Sequence, residues 1–250
     1  MCVCNAGATN IVVSLSNLQA YRNRANDGGG VFVHGKASVS ATAINVSMNK
    51  AIVTATGLHG NGGGVFVGSN TVFQITDGLL LSNWAGVSGG GLYAEDSASV
   101  ELDGGLARKN AAGACLVCAG GGLAVVRGGQ LFATSFVVEQ NVAASGGALS
   151  VMSSATTTLT DCTIVENSAK NKGGGAFVAD NGFLSVLRGT LSTLAAPNGG
   201  AVACESNGTV EMTGVTVSNC RCFFTDFSSP FGTVYIHSTM FVLHFFHCGE

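Results

Sequence analysis

The sequence predicts an all-β protein, a right-handed parallel β-helix solenoid of about eight coils with three short strands in each. Three observations predict it. A glycine cluster running into an apolar triplet recurs eight times, an asparagine follows it at a nearly constant distance, and the residues left to cover the surface are mostly uncharged.

Charged residues make up 10% of the 250-residue chain, while Gly numbers 37. An ordinary globular domain is roughly 25% charged and about 7% Gly. The apolar content of 46% is too high for a disordered chain, and two prolines without a Gly-X-Y period exclude collagen. A surface of Ser, Thr, Asn and Gly suits stacked strands better than helices, which favour Glu, Lys, Arg and Leu. The net charge of −3 and the lack of a Lys/Arg stripe in the sequence argue against a nucleic-acid partner. The start, MCVCNAGATN, has neither a basic segment nor a continuous apolar one, so no secretory signal is visible. No run of about 18 apolar residues predicts a membrane span. The C-terminal FGTVYIHSTMFVLHFFHCGE is interrupted by Ser, Thr and His and reads as strands.

The first element of each coil is the triplet after the last glycine of a cluster: Gly30, Gly64, Gly91, Gly122, Gly147, Gly175, Gly200 and Gly232. Spacings of 34, 27, 31, 25, 28, 25 and 32 define an elastic period. The glycines are expected at a corner that needs positive φ or close backbone approach. The second element is an apolar pair at +9 and +11, the two-residue spacing of one strand face: Val39/Ala41, Phe73/Ile75, Val100/Leu102, Leu131/Ala133, Leu184/Val186 and Phe241/Leu243. In two coils it slips by one, to Thr157/Leu159 and Val210/Met212. The third element is an apolar residue three before the asparagine, namely Ala20, Val46, Leu80, Ala107, Val138 or Ile164.

The asparagines are Asn49, Asn83, Asn110, Asn141, Asn167 and Asn219, each 19 or 20 residues after its glycine, with Asn23 closing a partial first unit. The coil of Gly175 has Leu194 there instead. A stacked asparagine can take a left-handed corner and bond its equivalents above and below. The elasticity therefore sits in one loop per coil, after the asparagine, above all in residues 50–61, 111–119 and 220–231. Position 251, where the last asparagine would fall, lies one past the final residue, so the chain reads as a single repeat domain cut from a longer protein at both ends.

GGAL at Gly146–Leu149 and GGAV at Gly199–Val202, with the variants GGGVF, GGGLY and GGGAF, resemble the GGA repeats of chlamydial polymorphic outer membrane proteins. VSMN, LLSN and IVEN stand where that family has F-x-x-N, without its Phe. The resemblance spans essentially the whole chain. It implies a secreted or surface-displayed, adhesin-like module that contacts proteins or carbohydrates, although the family's C-terminal membrane barrel is missing here. Gly-rich, Cys-rich surface proteins of single-celled eukaryotes are similar too.

Parallel β-helices also include polysaccharide lyases and hydrolases, which is the alternative function. Their clustered Asp residues, G-H-G and R-I-K strings are absent. The densest acids, Glu95, Asp96, Glu101 and Asp103, with Asp77 stacked near Asp103, read as solvated charges, and Arg127 and Arg188 fall at different coil positions. No catalytic residue, metal ligand or cofactor site is assigned. The glycines match neither a P-loop nor a dinucleotide fingerprint, and eight recurrences mark architecture. The nine cysteines include C-x-C at Cys2/Cys4 and Cys220/Cys222 and C-x-x-C at Cys115/Cys118. The Cys115 and Cys220 pairs lie four coils apart and cannot share a zinc ion. In a secreted protein a loop disulfide, within Cys115–Cys118 or between neighbouring loops, fits, and Cys162 reads as a small inward apolar residue. Asn45-Val-Ser47 and Asn207-Gly-Thr209 are glycosylation sequons.

Overall fold

The computed structural model describes residues 1–4, 10–53, 59–113, 119–222 and 233–237. Among them the chain is all strand and turn, wound into a parallel β-solenoid of three faces. The first face stacks eight strands: Cys2–Cys4, Val31–His34, Val65–Gly68, Leu92–Ala94, Leu123–Val125, Leu149–Val151, Ala176–Val178 and Val202–Cys204. Eight strands bound about seven full turns, one fewer than the eight coils expected. The discrepancy lies at the eighth glycine. Thr233–His237 does not extend the first face after Gly232. It pairs with Thr209–Thr213 on the second face, so Val234 and Ile236 follow Val210 and Met212. Gly232, Phe241 and Leu243 lie outside the described residues.

The second face is a fifteen-stranded sheet that bends along its length. Its first half carries the +9/+11 pairs in continuous register: Phe73 opposite Val100, then Leu131, Thr157, Leu184 and Val210. Its second half carries Ala20, Val46, Leu80, Ala107, Val138 and Ile164, also in register. The second and third expected strands thus share one sheet. In two coils they merge into single ten-residue strands, Val72–Leu81 and Ser99–Arg108. The third sheet begins immediately after the asparagine position with short strands such as Lys50–Ala51, Trp84–Ala85 and Ala111–Ala112. The three-strand reading missed them because two residues, one of them usually Ala, leave no periodic signal.

Inward residues of the first two faces form one apolar column, from Val31 and Val33 through Phe73, Leu102, Leu131, Leu159 and Val186 to Met212. Each large side chain in it contributes roughly 1.5–3 kcal/mol by leaving water. The apparent one-residue slip in two coils arises at the glycines. Gly147 and Gly200 stack on Gly121 and Gly174, the middle members of their clusters, so the last position belongs to Ala148 and Ala201. Counted from there, Asn167 again lies 19 residues on, and the strands never slip.

Candidate binding surface

The asparagines at the corner after the second face form one continuous ladder. In Asn49, Asn83, Asn110 and Asn141, the backbone N and Nδ2 both donate to Oδ1 of the next coil's asparagine at 2.8–3.1 Å, ending on Asn167. Asn23 makes the same pair of bonds to Asn49. The second Nδ2 hydrogen goes to a carbonyl of the preceding coil, for instance from Asn110 to Leu80 at 2.8 Å. Asn49 through Asn167 are buried, and this geometry satisfies the amides away from water. The left-handed backbone falls one residue earlier than expected, on Arg22, Met48, Ser82, Lys109, Gln140 and Glu166. Asn219 takes that earlier place, with φ 53°. Thr190–Ser192 stacks on Thr216–Ser218, which puts Cys220, not Asn219, after Leu194 in the ladder row. The Cys220 thiol bonds the Ser218 carbonyl at 3.3 Å.

At the opposite corner the glycines allow close packing. Gly62 has φ +63°, and a Cβ there would lie 2.4 Å from the Val65 carbonyl oxygen. A Cβ on Gly63 would lie 2.4 Å from the Trp84 backbone. No ligand role is needed to account for either residue. The same edge, between the third and first faces, carries the loops of variable length. Ile52–Val53, Gly60–Asn61 and Gly113 lie there, whereas residues 54–58, 114–118 (with Cys115 and Cys118) and 223–232 lie outside the described residues.

The middle residues of the apolar triplets point away from the column. Phe32, Phe66 and Tyr93 stack face to face there, with ring centroids 4.7 and 5.5 Å apart. Ala124 and Val126 complete a second, outer cluster. Burial pushes Tyr93 up to about 12 against the pull of the Arg127 guanidinium. Further along the same face, Met152 and Phe177 line an open groove of about 550 Å3, flanked by Ser145, Lys172, Asp180 and Glu205. Triplet alternation could have revealed this outer row, because VFV and LYA carry an aromatic where alternation calls for a polar residue.

Most described charges near these features pair between adjacent coils. Arg127 contacts Glu95 and Asp96, Arg188 grips Asp161 at 2.8–2.9 Å, Arg108 meets Glu139 at 3.2 Å and Lys172 meets Glu205 at 2.5 Å. Glu95 and Asp96 are thereby separated from Glu101 and Asp103, which face outward on the second face, where Glu101 accepts from Gln74 at 2.8 Å. Asp103 stands opposite Thr76, and Asp77 stands beside Gly104. Among the described residues, His59 Nδ1 meets Asp27 at 2.5 Å and His34 Nε2 meets the Ser69 hydroxyl at 2.7 Å. Among the described residues, no three His, Cys, Asp or Glu side chains converge on one point. Cys2 and Cys4 form a disulfide in the first strand. Cys162 is buried at the bend of the second face, and desolvation raises its thiol. Asn207 is exposed at a corner, whereas Asn45 is half-buried in a strand.

No protein-family model matches the chain, and no curated protein or solved structure does so either.

Proposed function

We propose that the chain is a non-enzymatic, extracellular or cell-surface module of adhesin type, which contacts protein or carbohydrate through the loops of its one variable edge. The observation that carries this reading is the division of the coil. A stretch of 19 residues from the last cluster position to the ladder row is invariant in length, and all variation in length falls between that row and the next cluster. A rigid stack with one edge of divergent loops is suited to presenting contacts, because binding residues concentrate on loops held by a stiff scaffold. The pairwise neutralisation of Arg127, Arg188 and Lys172 supports a structural use of these charges over catalysis. No metal or cofactor is called for.

The test is binding of the intact protein to glycan and cell-surface protein arrays, before and after residues 52–58 and 113–118 are replaced by Gly-Ser of equal length. Loss of binding with unchanged circular dichroism is expected. Binding that survives both replacements sinks the loop assignment. Release of reducing ends or unsaturated products from polygalacturonate replaces the reading with a carbohydrate-active enzyme.

A further inference from the structure

Residues 1–76 hold four Lys or Arg and a single acid, Asp27, a net charge of +3 in a chain whose total is −3. Winding gathers three of those four cations. Arg24 lies directly opposite Lys50 on the third face, and Trp84 follows Lys50 on the next strand. On the adjoining corner Arg22 precedes Met48, Ser82 and then Lys109 on successive coils. A depression of about 540 Å3 opens here, lined by Arg22, Asn23, Arg24, Met48, Lys50 and Ser82.

This cluster breaks the rule followed by the other charges described above. Arg108, Arg127, Lys172 and Arg188 each meet an acid on a neighbouring coil. Arg22, Arg24, Lys50 and Lys109 have no acidic partner among the described residues, and Asp27 is engaged by His59 and by the backbone of Gly60 and Asn61. Like charges directly opposite on adjacent strands repel. The guanidinium of Arg22 rests over the Tyr21 ring, 4.9 Å from its centroid, which keeps it at the rim. Trp84 is 39% exposed and Met48 45%, so apolar surface adjoins the cations. Asn23 donates to Asn49 but its Oδ1 receives no described donor, leaving an acceptor at the depression.

We infer that this corner binds a linear acidic glycan, carboxylated or sulfated. Arg24 and Lys50 stand on adjacent coils, about 4.7–4.9 Å apart along the axis, a spacing comparable to the length of one sugar ring, and Lys109 follows two coils beyond Lys50. Exposed Trp84 offers a flat face to the C–H side of a pyranose, and the Asn23 amide and Ser82 hydroxyl offer partners to its hydroxyls. Four cations on an acidic protein are too few for a duplex, whose binders typically neutralise about six to ten phosphates. The inference rests on the surface-module reading and names one ligand class for it.

The experiment measures binding of the intact chain to heparin, polygalacturonate, neutral dextran, duplex DNA and phosphatidylserine vesicles. The wild type is compared with the triple variant Arg22→Ala/Arg24→Ala/Lys50→Ala, with Trp84→Ala and with Arg188→Ala. Binding to heparin, polygalacturonate or both is expected, weakening about tenfold between about 50 and 200 mM salt. Which of the two binds assigns sulfate or carboxylate. The triple variant should lose about tenfold or more and flatten the salt dependence. Trp84→Ala should weaken binding without changing that dependence, and Arg188→Ala should change nothing. Equal binding by wild type and triple variant, absence of binding to both acidic glycans, or tighter binding to DNA, vesicles or dextran overturns the inference. Loop-dependent binding elsewhere would then leave the surface-module reading standing, whereas cleavage of a bound glycan would remove that reading and keep the patch.

Discussion

A single ladder asparagine does the work of four bonds. Removing the Asn110 side chain leaves the backbone N of Asn83, one of its two Nδ2 hydrogens and the carbonyl of Leu80 without these partners. Buried groups left unpaired cost about 1–3 kcal/mol each. Asn110→Leu should therefore lower unfolding stability by about 3 kcal/mol or more in urea. The reverse change, Leu194→Asn, places an acceptor beside Asn167 at the ladder's end and should be nearly neutral in the same assay. Thr157 gives the opposite lesson. Its hydroxyl is buried in the apolar row between Leu131 and Leu184 with no described partner. Thr157→Val should stabilise by about 1 kcal/mol, since the shape is kept and the unpaired oxygen is removed. The ladder was legible in the sequence because a buried amide must meet its own kind at a fixed distance along the chain. Asn219 was misleading because it lies one residue before the Cys220 position, and composition alone cannot separate a left-handed corner from the rung beside it.

At the level of strands and corners, the two kinds of glycine differ in how much backbone closes over them, since of the three atoms nearest a Cβ on Gly91 only the Gly122 carbonyl oxygen, at 2.6 Å, is backbone. A Cβ on Gly90 would lie 2.3 Å from the Gly121 carbonyl oxygen and 2.6 Å from the Ala111 backbone. The position after it, Gly91, is filled by Ala148 and Ala201 in other coils. Gly90→Ala should lower the thermal midpoint clearly more than Gly91→Ala. The outer aromatic row sets an alkaline limit. Tyr93 ionises near 10.0 when unfolded and near 12 when folded, because burial disfavours its anion. Between these values the unfolded chain binds fewer protons, so the stabilisation, about 2–3 kcal/mol at most, is complete below pH 10 and is lost as pH rises through 12. Tyr93→Phe should flatten this alkaline fall in urea titrations between the two pH values. The first strand row was readable from the apolar triplet after each glycine cluster and the second from its period-2 apolar pair. The third sheet was not, because its short strands are set by the ladder corner and carry no pattern of their own.

The whole molecule behaves as a stack of interchangeable turns. Deleting residues 89–119 removes one complete turn and brings Asn83 against Asn141, so the sheets and ladder remain continuous. The shortened chain should keep its far-ultraviolet β spectrum and become about 4.7–4.9 Å shorter by small-angle scattering. A deletion ending three residues later would put the glycines and the ladder out of step and should abolish folding. The charge patch shows the limit of reading along the chain. Arg22, Arg24, Lys50 and Lys109 span 88 residues, and the sequence accordingly showed no basic stripe. Only winding at the irregular period of 24 to 34 residues brings them to one corner of the stack.

The backbone hydrogen bonds of all three sheets run along the axis, and this gives the molecule a mechanical character. Tension applied to the two chain ends does not shear a sheet as a unit. It opens the outermost turn bond by bond, then the next. Each turn releases 24 to 34 residues, or about 80–120 Å of contour length. A tether of this kind would give way in many small steps, each dissipating work and lengthening the attachment, before the load reached whatever is bound at its surface.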